Sequence, residues 1–239
     1  VVSFAIPYGS TSQELAVPER QLAGAAFPRP LAPAQDPTAV LRDSIVGGLE
    51  ACDIAEKARA GRSACIVVTD RTRSTPNARI VPVLLDQLNA FGVADKDICI
   101  LIGVGMHAAD NDEAIVENLG RQVVARVAGL NNEPDNDKVM VSLGRTGRGT
   151  VVEVHQRYAD AAVKIGTGNV NPCMLAGWSA GGKIVLPGVA SRRCIYENHK
   201  RFTATLAELG CGSLMGIMPP ENAVRADIEE AATISGLDM

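Results

Sequence analysis

Four segments of this 239-residue chain concentrate side chains able to do chemistry. The first, Thr69-Asp70-Arg71-Thr72-Arg73-Ser74-Thr75-Pro76, packs a carboxylate, two guanidinium groups and several hydroxyls into eight residues ahead of a predicted helix. Such a set suits a phosphate or carboxylate held at a helix N-terminus, and reads almost as well as an N-cap with solvated charges. Two arginines beside an aspartate tilt it toward an anion site. The second, Gly103-Val104-Gly105-Met106-His107, brings one of only three histidines directly after an apolar run. A histidine there is either a hydrogen-bonded structural residue or a proton-transfer group. The third, residues 168–188, is glycine-rich and holds Cys173, the only tryptophan (Trp178) and Lys183. The fourth, Tyr196-Glu197-Asn198-His199-Lys200, carries a histidine that a helix C-terminus would also favour through its dipole.

Gly177 to Lys183 fits the first seven positions of a phosphate-binding P-loop, but Ile184 stands where Ser or Thr must hold magnesium. No convincing buried strand precedes it, and no apolar strand ending in Asp follows, so a nucleotide hydrolase is the least favoured reading. The physical content survives: glycines let a backbone approach a ligand, and Lys183 stands beside them as a phosphate partner or a covalent nucleophile.

The elements that must position these segments follow from periodicity. Apolar residues recur at helical spacing from Thr38 to Ala60, with Gly61 as a stop. Short apolar runs at Ala64–Thr69 and Ile98–Val104 alternate with helical stretches at Asn77–Phe91 and Asn111–Leu119. Further strands are expected at Val123–Val127, Val139–Leu143, Val151–Val154 and Ala162–Gly166, a glycine hairpin at 144–150, and a long helix at Glu221–Ile234. This is the pattern of an α/β fold, a mostly parallel sheet with helices on both faces in a single domain. In such sheets ligands bind beyond the carboxyl ends of the strands, where the segments carrying Asp70 and His107 fall. Residues 1–37, punctuated by prolines, are expected to form an extended amino-terminal arm packing on an α/β cofactor-binding domain of residues 38–239.

Composition bounds the function. A net charge of -4 offers no basic field for nucleic acid or an anionic membrane. The apolar runs fall far short of the ~20 residues a spanning helix needs. The chain opens Val-Val-Ser-Phe, with no methionine and no basic-then-apolar leader, so a processed or trimmed start and a cytoplasmic location are expected. Six cysteines without a C-x-x-C pair read as reduced thiols rather than a zinc site or a disulfide framework.

With these segments in order, the chain resembles the amino-terminal domain of the nickel-dependent lactate racemase family. That domain carries D-x-T-R-x-x-P, G-x-H, A-G-[FW]-S-x-G-x-K and a downstream N-H; here they are Asp70–Pro76, Gly105–His107, Ala176–Lys183 and Asn198-His199. The opening Ile6-Pro7-Tyr8-Gly9 also matches, so the resemblance spans nearly the whole chain.

The resemblance implies a nickel-pincer nucleotide, a pyridinium mononucleotide with two thioacid arms, joined to Lys183 and with His199 as the fourth nickel ligand. Asp70, Thr72, Arg73, Ser179, Gly181 and Gly182 would cradle its phosphate and ribose. It implies hydride transfer from the alpha carbon of a small 2-hydroxy acid, with His107 as one proton-transfer residue and Arg73 as a further catalytic residue. Cys173 stands where the family places its second catalytic histidine, so epimerisation or isomerisation of a 2-hydroxy acid other than lactate is expected. Gly182 stands where some relatives carry arginine. The family's closing carboxyl-terminal domain is absent from these residues and would be supplied by a longer chain or in trans. A non-catalytic binding module of the same fold is the alternative.

Overall fold

The computed structural model of the chain describes residues 1–27 and 29–239. It divides into two compact units, Val1–Pro37 and Thr38–Met239.

The first unit is more regular than the expected arm. Strands β1 (Val2–Tyr8) and β2 (Thr11–Val17) pair antiparallel, with Tyr8 opposite Thr11 and Gly9 at φ 58 in the turn. Glycine adopts that left-handed conformation without steric cost. The Pro- and Ala-rich stretch begins after a short 3-10 turn at Glu19–Gln21 and carries no regular structure at residues 22–27 and 29–34. At Pro28 the extended-arm reading lies outside the described residues.

The second unit is built on four parallel strands. In chain order these are β3 (Ala64–Thr69), β4 (Ile98–Gly103), β5 (Gly129–Asn131) and, after the hairpin described below, β8 (Val163–Gly166). Their spatial order is β5-β4-β3-β8, in register Ala64 against Ile98 and against Val163. The chain steps outward from β3 to β5 and then returns to the other side of β3, so the order reverses between β3 and β8. Alternate side chains of β3 and β4 enter two cores. Ile66, Val68, Ile100 and Ile102 pack with helices α1 (Pro37–Ala51), α2 (Ile54–Gly61), α3 (Asn77–Ala90) and α4 (Asp112–Leu119). Cys65, Val67 and Leu101 pack on the opposite face. Strands covered on both faces read as continuous apolar runs, as these do.

That opposite face is covered by an antiparallel hairpin and three helices. The hairpin is β6 (Met140–Arg145) with β7 (Val151–His155), and Thr146 N–H donates to Thr150 O at 2.9 Å across its glycine turn. The short helix α6 (Gln156–Ala159) follows β7 directly; of the three covering helices, α7 spans Arg192–His199, α8 spans Arg201–Leu209 and α9 spans Ala223–Ser235. The fold is therefore the expected α/β class.

Two expectations are corrected. The helix read as continuous from Thr38 to Ala60 breaks at Asp53, which takes φ 52; its second half ends at the expected Gly61, with Arg62 at φ 52 as its cap. The apolar run Val123–Val127 is not a strand: it closes a short helix α5 (Arg121–Val124), and the strand follows at β5. Gly129 serves there because a Cβ would meet Ile115 and Leu119 at 2.9 Å.

Candidate functional site

The carboxyl ends of β3, β4 and β8 open into a cavity of about 550 Å³, within the range of small-molecule sites. Asp70 and Arg73 follow β3, His107 follows β4, and Thr167 and Asn169 follow β8; all five line it. The loop after β3 folds tightly because the Arg73 N–H donates to the Asp70 carbonyl at 3.1 Å and the Thr72 N–H donates to Asp70 Oδ1 at 2.8 Å. Asp70 Oδ2 lies 2.8 Å from His107 Nδ1. Burial pushes the Asp70 carboxyl up, but the bonds from Thr72 and His107 outweigh it and hold the group below the usual carboxylate range. Asp70 is 3% exposed while the His107 side chain is 43% exposed, so a fixed carboxylate aims an accessible imidazole.

The other wall is the glycine-rich loop. Strands β9 (Pro172–Cys173) and β10 (Gly177–Trp178) pair antiparallel and turn the chain into a 3-10 segment, Gly181–Ile184. This brings Lys183 Nζ to 3.6 Å from Cys173 Sγ. Burial pushes the Cys173 thiol up, yet backbone hydrogen bonds at Ala176 and Leu175 and the nearby Lys183 charge hold it below its ordinary value. Burial pulls Lys183 down, opposed by Cys173 and reinforced by Arg225 and Arg73. His199, the last residue of α7, lines the same cavity; burial and the Lys183 charge push its pKa down.

Asp70, Arg73, His107, Cys173, Ser179, Lys183 and His199 thus converge on one cavity, whereas Thr72, Gly181 and Gly182 do not line it. Thr72 contributes its backbone N–H to Asp70. The two glycines face α9 instead: a Cβ on Gly181 would meet Arg225 Nη2 at 2.7 Å, and one on Gly182 would meet Glu229 Oε2 at 2.9 Å. Their small size serves helix packing. Ser179 is committed within the loop, donating to the Asn169 carbonyl at 2.6 Å and accepting from the Asn171 N–H at 2.7 Å. A P-loop would require a parallel strand before these glycines, but β10 lies outside the parallel sheet and Ile184 is buried.

Sequence reasoning missed a web of amides that fixes the strand ends. Thr167 Oγ1 donates to Asn77 Oδ1 at 2.7 Å, and Asn77 Nδ2 donates to Asn118 Oδ1 at 2.8 Å. Thr75 Oγ1 donates to Asn169 Oδ1 at 3.0 Å, tying the loop after β3 to that after β8. The only signal in the sequence was the clustering of Asn and Thr just past predicted strands.

Residues 8–210 match the family model of the lactate racemase N-terminal domain. The chain belongs to that family. Within the lactate racemase group, it is 30% identical over 182 residues to the lactate racemase of Lactiplantibacillus plantarum, covering 76% of this chain and 42% of the relative. It is 25% identical over 199 residues to that of Thermoanaerobacterium thermosaccharolyticum, covering 81% and 46%. The chain thus spans less than half the length of these lactate racemases. Its fold matches the lactate racemase apoprotein structure from T. thermosaccharolyticum with TM-score 0.79 at 21% identity, over 99% of this chain and 54% of that one. A Thermotoga maritima protein of known structure matches with TM-score 0.65 at 21% identity, over 82% and 47%. Among the described residues, no helix is long and apolar enough to cross a membrane.

Proposed function

We propose that this chain is the cofactor-binding domain of a nickel-pincer-dependent racemase or epimerase acting on a small 2-hydroxy acid. The observation that carries it is the convergence of Lys183, His199, His107 and Cys173 on one cavity at the reversal point of a parallel sheet.

The residues fit such a group. Among the described residues no cluster of three or more His, Cys, Asp or Glu could hold a metal ion, so a metal at His199 needs its other donors from a non-protein group. An imidazole beside sulfur donors would suit nickel. Burial lowers the Lys183 pKa, which eases the loss of the proton that must precede attack on an acyl carbon. The Cys173-Lys183 contact and the aimed His107 leave proton-transfer groups facing the same space. When bound, the cofactor would supply the acceptor for hydride from the substrate's alpha carbon.

The protein's own work is positional and acid-base. Arg73 lines the cavity with a guanidinium able to hold the substrate carboxylate. Asp70 favours a proton on His107 Nδ1, which leaves Nε2 to take the hydroxyl proton. Cys173 stands ready as the second group, returning a proton as a thiol or receiving one as a thiolate. A group on each side of the alpha carbon is what inversion requires.

Nickel content tests this reading. Protein produced together with the cofactor pathway should carry close to one nickel per chain, falling to background in His199→Ala. Nickel that is absent, or unaffected by the substitution, contradicts it.

A further inference from the structure

His199 is preceded in the chain by Asn198, a fully buried side chain whose environment is fully specified. Its Nδ2 lies 3.0 Å from the Val224 carbonyl and 2.9 Å from Asp227 Oδ2. A carbonyl and a carboxylate can only accept, so the atom facing both is the amide nitrogen, donating to each. The Asn198 orientation is therefore fixed by chemistry. Its oxygen faces His199 Nδ1 at 3.1 Å. An amide oxygen accepts only, so Nδ1 must carry the hydrogen.

Asp227 is itself immobilised. It is 0% exposed, accepts from Thr146 Oγ1 at 2.6 Å and Thr150 Oγ1 at 2.8 Å, and lies 3.5 Å from Arg201 Nε. The chain of bonds runs from the β6–β7 hairpin turn through α9 to the end of α7.

We infer that Asn198, oriented by Asp227 and the Val224 carbonyl, is a positioning residue that locks neutral His199 as the Nδ1–H tautomer and presents the Nε2 lone pair to the cavity. Metal-binding imidazoles generally owe their tautomer to an acceptor on the far nitrogen, and the loss of that partner typically weakens metal binding by roughly 10- to 100-fold. This gives the Asn-His pair of the sequence a physical meaning: one residue sets the proton, the next uses the bare nitrogen. The role of the lone pair rests on the function proposed above; the tautomer does not.

The chain supplies its own control. His155 Nδ1 accepts the Arg157 N–H at 3.1 Å, so a neutral His155 must be the Nε2–H tautomer. The test is a two-bond proton-nitrogen correlation spectrum of cofactor-free protein labelled at its three histidines, recorded at pH 8 and assigned with His199→Gln and His155→Gln. The expected result is opposite tautomers, with Nδ1 pyrrole-like in His199 and Nε2 pyrrole-like in His155. In Asn198→Ala, His199 loses the amide acceptor and keeps only the Ile195 carbonyl beside its ring, so the share of the Nδ1–H tautomer should fall. An Nε2–H tautomer at His199 in the wild type overturns the inference whether or not Asn198→Ala folds, and so does an unchanged His199 tautomer in a folded Asn198→Ala.

In the loaded protein, Asn198→Ala should lose nickel to a chelator roughly 10- to 100-fold faster. Unchanged loss overturns the positioning role. Nickel content insensitive to His199→Ala overturns the proposed function instead and leaves the tautomer standing.

Discussion

Lys183 Nζ stands 3.6 Å from Cys173 Sγ, so a cation and a nucleophilic thiol share one wall of the cavity. An opposite charge at such a distance typically lowers a pKa by about 1 to 3 units. Replacing Lys183 with Met should therefore raise the Cys173 pKa, and iodoacetamide labelling of Cys173 at pH 7 should slow by roughly threefold to tenfold. Equal rates in the two proteins would show that Lys183 does not tune the thiol. The same sign would apply to the proposed acylation of Lys183: its charge would be lost and Cys173 would shift toward the protonated form, a proton donor.

The Asp70-His107 contact predicts a pH dependence. Asp70 has a folded-state pKa below its ordinary value, so its stabilisation is fully present above the unfolded value near 4 and is lost as pH falls through the lower folded value. Asp70→Asn should cost about 1 to 3 kcal/mol at pH 7. In urea titrations from pH 7 to pH 3, the gap between wild type and variant should narrow only below about pH 4. A gap that stays constant to pH 3 would contradict the assignment.

Much of the scaffold was legible because burial on both faces forces β3 and β4 to be apolar throughout, and the Asn111 cap of α4 is written in its side chain. The misread segments had other causes. Val123–Val127 is apolar because it packs against the core from a helical turn, while β5 is short and contains a glycine and an asparagine. The hairpin β1–β2 is almost wholly exposed, so no buried face marked it. At the site, residue types pointed to Lys183, His199, His107, Asp70 and the Asn198-His199 pair, but the pairings of Asp70 with His107, 37 positions apart, and of Asn198 with Asp227, 29 positions apart, are spatial and spacing does not encode them. Gly181 and Gly182 show the converse: glycines read as a ligand cradle are small because α9 lies against them.

That packing is measurable. A Cβ on Gly182 would meet Ala232 Cβ at 3.0 Å and the Ile228 carbonyl at 3.1 Å, neither of which is the end of a flexible side chain. Gly182→Ala should destabilise the protein by about 1 to 3 kcal/mol in chemical denaturation. A neutral result would mean that α9 yields there.

Asp227 joins the hairpin turn, α7 and α8 through Thr146, Thr150, Asn198 and Arg201. Its removal takes the carboxylate from the half-buried Arg201 guanidinium and one acceptor each from Thr146, Thr150 and Asn198, so Asp227→Ala should cost about 3 to 5 kcal/mol, read as a lower urea midpoint. A loss below about 1 kcal/mol would be that of an ordinary surface pair and would contradict the network.

Lys183 is the proposed covalent anchor of the nucleotide cofactor. The most direct measurement is intact and peptide mass of the protein produced together with the cofactor pathway. A discrete mass increase is expected, confined to the peptide containing Lys183 and absent in Lys183→Ala. An unmodified Lys183 peptide in protein made with a working pathway, or the same increase persisting in Lys183→Ala, would contradict it.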